Sequence, residues 1–353
     1  MSDLLYSDVE EALRDSVRTA LAKRLPPDRV ARLYDEPDAD VSDVWQLVAR
    51  DLGLAALLVP EDRGGAGASA REAAVVLEEL GRFVAPVPFL TSAVVATTAL
   101  AAVDDPALPA LAAGTDTAAL VLPWSDRAGH WSPVTAVCEP VAGAIGADLF
   151  VVPAGAADDL ELRVLSASDV RVEPLTSLDM SRPLARVHPT GEGRVAASGT
   201  AAREAVDAAL GAGAALLASE QYGLAAACLE ATVDYARTRV QFARPIGSFQ
   251  AIKHRLADLY LEVVQAQASA RYAADTLATG DPDRRVAQAV AQAYCSDVAV
   301  HAAEEGVQLH GGIGMTWEHP LHLYLKRAKS DQLALGTPSR HREDLAVLVD
   351  LVR

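Results

Sequence analysis

Arg239, Gln241, Phe242, Arg244, Pro245, Ile246, Gly247 and Gln250 fall within twelve residues, and Gln308, Gly311, Gly312 and Gly314 within seven. These residue types bind; they do not break bonds. A guanidinium can grip a pyrophosphate through a planar fork of N–H donors. An aromatic face, a proline-glycine turn and an amide beside it can line a nucleotide. Glycines let backbone N–H groups approach a phosphate or a flat ring closely. Taken alone, the arginine segment is equally a helix-to-helix turn with solvated charges.

Groups suited to proton transfer or metal binding are scarce. Ala334-Leu335-Gly336-Thr337 presents an apolar side chain, and leucine cannot take a proton. His319 and His322 stand three residues apart, but no third ligand has matching spacing. They are expected at a helix surface or interface, and no metal site is expected. Lys326, Arg327 and Lys329 form a short cationic run, expected on a solvated helix face, with phosphate or partner contact as the alternative. Trp45 and Trp317 are expected in the core or at an interface. Cys138, Cys228 and Cys295 are odd in number and widely spaced in apolar surroundings, which suits core packing in a reducing cytoplasm.

Three zones must position these groups. Residues 1–114 have helical periodicity. In 8–25, Val9, Leu13, Val17 and Leu21 recur at helical spacing, and Pro26-Pro27 stop the run. Further helices are expected over 41–52, 70–80 and 86–101. Residues 115–200 change to short valine-rich runs at 117–122, 149–152, 160–165 and 171–174, which suggest a small, reduced antiparallel β-domain. Residues 201–353 return to long helices: 205–239, 249–279 with Ile252, Leu256, Leu259, Val263 and Val264 on one face, 283–309 and 319–334. Thr337-Pro338 has the form of an N-cap followed by proline at the first helical position. The expected fold is therefore α+β and mainly α, closing in a C-terminal four-helix bundle.

Composition excludes several functions. The 353 residues are 51% hydrophobic and 22% charged, enough for a sizeable core. A formal net charge of −17 argues against nucleic-acid binding, which needs a basic face. The acidic, amphipathic start lacks the basic and apolar regions of a signal peptide, and no apolar run is long enough for a membrane span, so a cytoplasmic location is expected.

The run A-R-T-R-V-Q-F-A-R-P-I-G-S-F-Q-A-I-K-H-R-L-A-D, followed by Q-L-H-G-G-I-G-M-T-W-E-H-P, resembles the C-terminal domain of the acyl-CoA dehydrogenase family. V-P-E-D-R-G-G-A-G and S-L-D-M-S-R-P resemble further family motifs, and the zone order matches the family's three-domain fold. The resemblance covers nearly the whole chain. It implies FAD-dependent α,β-desaturation of an acyl-CoA or other acyl thioester, with an electron-transfer acceptor. It assigns Arg239 to the FAD pyrophosphate, with Gln241 and Phe242 beside it. Ile246 and Gln250 would line the adenosine, Gln308, Gly311 and Gly312 would pack against the dinucleotide, and Thr337 would approach the flavin phosphates. The backbone N–H of Leu335 would sit where the family polarises the thioester carbonyl.

The same resemblance exposes two departures. The family's base in one branch falls at Leu335. In another branch it falls near residues 211–214, which carry no carboxylate. Glu220 lies two turns further on, roughly 10 Å away and out of proton-transfer reach, and a structural or interface role is expected for it. Asp331, one turn before Leu335, is a still poorer substitute. The family's flavin-contacting Thr-Glu-Pro element is not recognisable in the middle zone; Cys138-Glu139-Pro140 echoes it by chance. Arg182 suits interdomain packing or CoA contact. The chain thus resembles the base-less subunit of heteromeric bacterial acyl-CoA dehydrogenases, in a heterotetramer whose second subunit carries the base. A flavin-dependent monooxygenase on the same scaffold and a non-catalytic scaffold subunit are the alternatives.

Overall fold

The computed structural model describes residues 4–36, 39–156 and 159–351. The first zone holds helices α1 (Asp8–Arg24), α2 (Pro27–Arg32), α3 (Ser42–Gln46), α4 (Ala70–Arg82), α5 (Thr97–Ala101) and α6 (Leu108–Ala112). Widened π-helical turns at Leu47–Asp51 and Phe89–Ala96 extend α3 and lead into α5. Ser7 and Ser69 open α1 and α4 with capping boxes closed by Glu10 and Glu72, satisfying orphan N–H groups at each N-terminus. One expected face is corrected here. Val17 and Leu21 are buried, but Val9 is 72% exposed while Glu10 is buried. Arg71 of α4 holds both Glu10 carboxylate oxygens, at 2.7 and 3.1 Å, and this pairing turns the first turn of α1.

The middle zone is fuller than its apolar runs suggest. It holds β1 (Ala118–Leu120), β2 (Cys138–Ala142), β3 (Leu149–Ala156), β4 (Asp159–Ser166), β5 (Val170–Pro174), β6 (Leu184–Pro189) and β7 (Arg194–Ser198). One sheet has the order β1-β3-β4-β7, the other β2-β6-β5. Strands β2, β6 and β7 had no clear strand signal: β2 contains Pro140, and β6 and β7 mix small and charged residues. Among the described strands, the expected all-antiparallel pairing also fails for one pair. β1 runs parallel to β3, because the chain between them detours through β2 in the other sheet.

The last zone contains α7 (Gly199–Thr238), a hairpin of β8 (Val240–Gln241) and β9 (Arg244–Pro245), α8 (Gln250–Thr279), α9 (Arg284–His310), α10 (Leu321–Leu333) and α11 (Pro338–Leu348). α7, α8 and α9 pack on one another, α10 packs on α9 and α7, and α11 on α9. Leu259 and Val263 of α8 are buried as expected, but Val264 is exposed together with Leu261. Consecutive residues on a helix point about 100° apart, so Val263 and Val264 cannot share one narrow face.

Two apolar cores result. One unites the first zone, the sheets and the first half of α7; the other lies inside the bundle. α4 and α7 join them by crossing almost backbone to backbone. A Cβ on Gly81 would lie 2.1 Å from the Glu220 carbonyl oxygen, and one on Gly223 1.9 Å from that of Glu78. Only glycine permits this approach. Cys138, Cys228 and Cys295 are all buried and unbridged.

Candidate functional site

The binding motifs meet at one end of the bundle. α7 ends at Thr238, and its Tyr235 ring stacks on His310, the last residue of α9, at 4.2 Å. The Tyr235 hydroxyl also donates to the His310 carbonyl at 3.4 Å. His310 is buried, and its Nδ1 lies 2.7 Å from the Gly306 carbonyl, fixing the ring. This clasp sets the Arg239 segment beside the Gly311 turn.

Beyond Arg239 the chain folds into the two-residue hairpin. Phe242 and Ala243 occupy its tip with φ of 53° and 59°. Left-handed backbone costs a non-glycine residue on the order of 1–2 kcal/mol. The strained turn thrusts the Phe242 ring outward until it is 87% exposed. Behind it, the Arg244 guanidinium lies 3.9 Å over the Phe249 ring, which supports the hairpin. The Ile246 N–H donates to the Arg239 carbonyl at 2.8 Å. The Arg239 side chain is exposed and makes no ion pair or hydrogen bond among the described residues. Gln241, Gln250 and Gln308 are exposed as well, and Ile246 is half-buried.

Gly311 has φ 63° and ψ −140°, a conformation that demands glycine, and a Cβ on Gly311 or Gly312 would meet nothing within 4 Å. Their backbone is therefore open on one side. Gly314, in contrast, packs tightly, since its Cβ would lie 2.6 Å from the Val307 carbonyl. Trp317 is not core: it is largely exposed and meets His322 edge to face at 4.7 Å. His319 lies against His310 at 4.3 Å.

The second cluster lies far from the first. Leu335 is buried and lies against Gly213 of α7, where an added Cβ would stand 3.0 Å from Leu335 Cδ1. Gly213 and Thr238 are separated along α7 by a distance on the order of 40 Å at 1.5 Å per residue. Leu335 therefore sits far along α7 from Arg239, and one dinucleotide on one protomer cannot touch both. Thr337, near Leu335, caps α11 by accepting from the Arg340 N–H at 3.4 Å.

Leu335 closes a small apolar cavity with Thr91, Val95, Leu122, Trp124 and Leu210, leaving about 10 Å³. That is room for one water. The Leu335 N–H, expected to be free for a thioester carbonyl, instead donates to the Trp124 carbonyl at 2.7 Å. Its own carbonyl lies 2.9 Å from His341 Nε2. The segment is pinned on both sides in a left-handed conformation, φ 52°.

Between the two ends lies a buried ionic junction that the sequence patterns did not reveal. Arg182 reaches Glu220 Oε2 at 2.6 Å and Asp331 Oδ1 at 2.5 Å. Arg327 pairs with Glu220 and with Asp179. The cationic run is thus not a solvated face: Arg327 is fully buried, and Lys326 sits 3.8 Å over the Trp317 ring and 3.9 Å over Tyr34. Only Lys329 is solvated, beside Glu304. Burial pushes the Glu220 carboxyl up, but Arg182 and Arg327 outweigh it and hold it below the usual carboxylate range. A carboxylate so held, with both oxygens engaged, is a structural anchor and a poor base. Burial pushes Asp331 up to about 8, and the Arg182 charge only partly opposes it. Arg182 is engaged in interdomain packing, the first of its two expected roles.

The sequence model for the C-terminal domain of acyl-CoA dehydrogenases matches residues 203–348, and that for the N-terminal domain matches residues 7–114. The chain belongs to the acyl-CoA dehydrogenase family. It is an oxidoreductase family acting on CH–CH groups, with FAD as cofactor. The chain is 38% identical to acyl-CoA dehydrogenase IpdE2 of Mycobacterium tuberculosis over 331 residues, 93% of each protein. It is 35% identical to acyl-CoA dehydrogenase IpdE2 of Mycolicibacterium smegmatis over 333 residues, 94% of this chain and 96% of that one. Its fold matches a chain of the ChsE4-ChsE5 complex from Mycobacterium tuberculosis with a TM-score of 0.86 and 25% identity, over 100% of both chains.

The two ends of this acyl-CoA dehydrogenase chain fit FAD differently. The cavity at Leu335 does not fit a flavin ring or an acyl thioester: it is filled, it has no base, and its N–H is spent. The exposed end does fit a dinucleotide, offering a free guanidinium, a projecting aromatic ring and open glycine backbone. No described helix is long and apolar enough to cross a membrane.

Proposed function

We propose that this chain is the base-less subunit of a heteromeric acyl-CoA dehydrogenase, completing an FAD site that a second, base-bearing subunit holds. The observation that carries this reading is the separation within one chain. A nearly filled apolar pocket stands at Leu335, and an exposed surface bearing Arg239, Phe242 and open glycine backbone stands at the far end of α7. Arg239 would grip the pyrophosphate, Gln241 and Phe242 would flank it, and Ile246 and Gln250 would line the adenosine. Gln308, Gly311 and Gly312 would pack backbone against the dinucleotide. Thr337, which caps α11 beside that pocket, would have kept a structural part only.

FAD supplies the hydride acceptor; this chain's residues bind and orient it. The likeness to a chain of the ChsE4-ChsE5 complex supports a two-component assembly. A steroid acyl-CoA dehydrogenase among the structural neighbours, 25% identical with a TM-score of 0.84, makes bulky polycyclic thioesters the first substrates to assay. The filled cavity weighs against a monooxygenase acting on this chain alone, and the exposed binding residues weigh against a scaffold that meets no flavin.

Co-expression with a base-bearing family member tests the reading. The expected result is a yellow complex with about one FAD per pair of unlike chains, while this chain alone purifies colourless. One tightly bound FAD per lone protomer, with turnover, would overturn it. In the complex, Arg239→Ala should lower FAD retention on the order of tenfold or more, the scale of a lost charge-assisted bond of about 1.5–3 kcal/mol. Equilibrium dialysis of FAD measures this.

A further inference from the structure

The buried junction has an unequal charge count. Two guanidiniums, Arg182 and Arg327, face three carboxylates, Asp179, Glu220 and Asp331. All three carboxylates are fully buried. If each were ionised, the group would carry one uncompensated negative charge away from water, which is strongly unfavourable. One carboxyl must therefore hold a proton or the junction must open.

Donor supply decides which one. Asp179 accepts from Arg327, from the Ser181 N–H at 2.9 Å and from the Tyr34 hydroxyl at 3.4 Å. Glu220 accepts from both arginines. Asp331 accepts on Oδ1 alone, from Arg182; its Oδ2 is buried with no partner among the described residues. The facing turn of α7 holds another orphan acceptor, Gln221 Oε1, while Gln221 Nε2 donates to the Asp331 carbonyl at 3.3 Å and to Ser296 of α9 at 2.9 Å. Gln292 of α9 also leaves its Oε1 unpaired. A proton on Asp331 Oδ2 would turn one orphan acceptor into a donor in a pocket that has acceptors to spare.

We propose that Asp331 carries a proton at neutral pH, and that its loss loosens α10, making this junction a proton-operated lock between the zones of the fold. The geometry spans every zone. Tyr34 follows α2, and the Ala85 carbonyl follows α4. Asp179, Ser181 and Arg182 lie on the β5–β6 connection, Glu220 on α7, Arg327 and Asp331 on α10. Lys326, beside Arg327, sits between Tyr34 and Trp317 at the junction's rim, where it feels the charge of Asp179 but donates to none of the three carboxylates. Burial, which pushes Asp331 to about 8, agrees with this count. The inference stands independently of the subunit role proposed above.

The sign follows from linkage. Asp331 holds its proton more tightly in the folded chain than in the unfolded one. Its contribution is complete below the ordinary aspartate value of about 4, falls as pH rises, and is gone above about 8. Urea unfolding of the full chain and of Asp331→Asn should be compared from about pH 5 to about pH 9.5. The expected difference is a tenfold greater loss of the wild-type folding constant per pH unit up to about pH 8, with none beyond. Other groups that titrate in this range, Glu78 among them, cancel in the comparison. Parallel curves would overturn the proposal. Should the variant not fold, carboxyl-¹³C aspartate labelling of the wild type decides. A neutral acid signal at pH 7 that titrates near pH 8 supports it, and only ionised aspartate at pH 7 refutes it. Asp126, the other aspartate raised among the described residues, stands at about 6 and titrates separately.

Discussion

Glu220 shows how one side chain's neighbours fix its chemistry. Its carboxylate engages two buried guanidiniums, so it can neither travel nor accept a substrate proton. Glu220→Ala should leave Arg182 and Arg327 short of a partner in an apolar interior. The expected loss is about 3–5 kcal/mol of stability, read as a lower midpoint in urea. Leu335 makes the complementary point. Its identity is legible in the sequence as the absence of a base, but its role is not. The hydrogen bond from its N–H to Trp124 and its packing on Gly213 join residues more than a hundred positions apart, and no local pattern encodes that.

Among the elements, the α4–α7 crossing and the β8–β9 hairpin carry opposite predictions. Gly223→Ala places a Cβ 1.9 Å from a backbone oxygen, so the helices must separate. A destabilisation of about 1–3 kcal/mol or more is expected, measured by thermal unfolding, with both apolar cores disturbed. Phe242→Ala removes a ring that touches mainly solvent. Stability should change by less than about 0.5 kcal/mol, while FAD retention in the assembled complex falls. A large loss of stability with full FAD retention would contradict the outward-facing role. The two helices of the crossing were legible but the crossing itself was not, and the hairpin was legible only as a helix-to-helix turn. The hairpin was marked by its proline-glycine turn, but the left-handed Phe242 and Ala243 were not, because nothing in those side chains favours that backbone.

Over the whole molecule, the long helices declare themselves through periodicity and alanine content, and the fold class follows. The middle layer was harder. β2, β6 and β7 are strands because neighbouring strands recruit them, through pairings such as Val172 with Val187 and Arg163 with Val195, and not because of their own composition. The arginine junction was invisible for a related reason. Arg327 looks solvated in its own segment, nothing in the segments of Arg182 and Glu220 names their partners, and only the packing of three zones buries them together. The two motifs at the end of the bundle were the most legible part of the candidate site, because each is a short segment and a single stacked pair, Tyr235 and His310, brings them together.

α7 is an unbroken helix of 40 residues, about 60 Å long. It acts as a caliper. One jaw is at Gly213, about a third of the way along the helix and packed on Leu335, and the other is the hairpin with Phe242, roughly 40 Å away. Under the proposed assembly, a flavin-holding neighbour would have to present its dinucleotide at that span. Partner choice would then be set by a length as well as by surface chemistry, and a four-residue deletion within α7 would retract the hairpin by about one turn and uncouple the pair while leaving every binding residue in place.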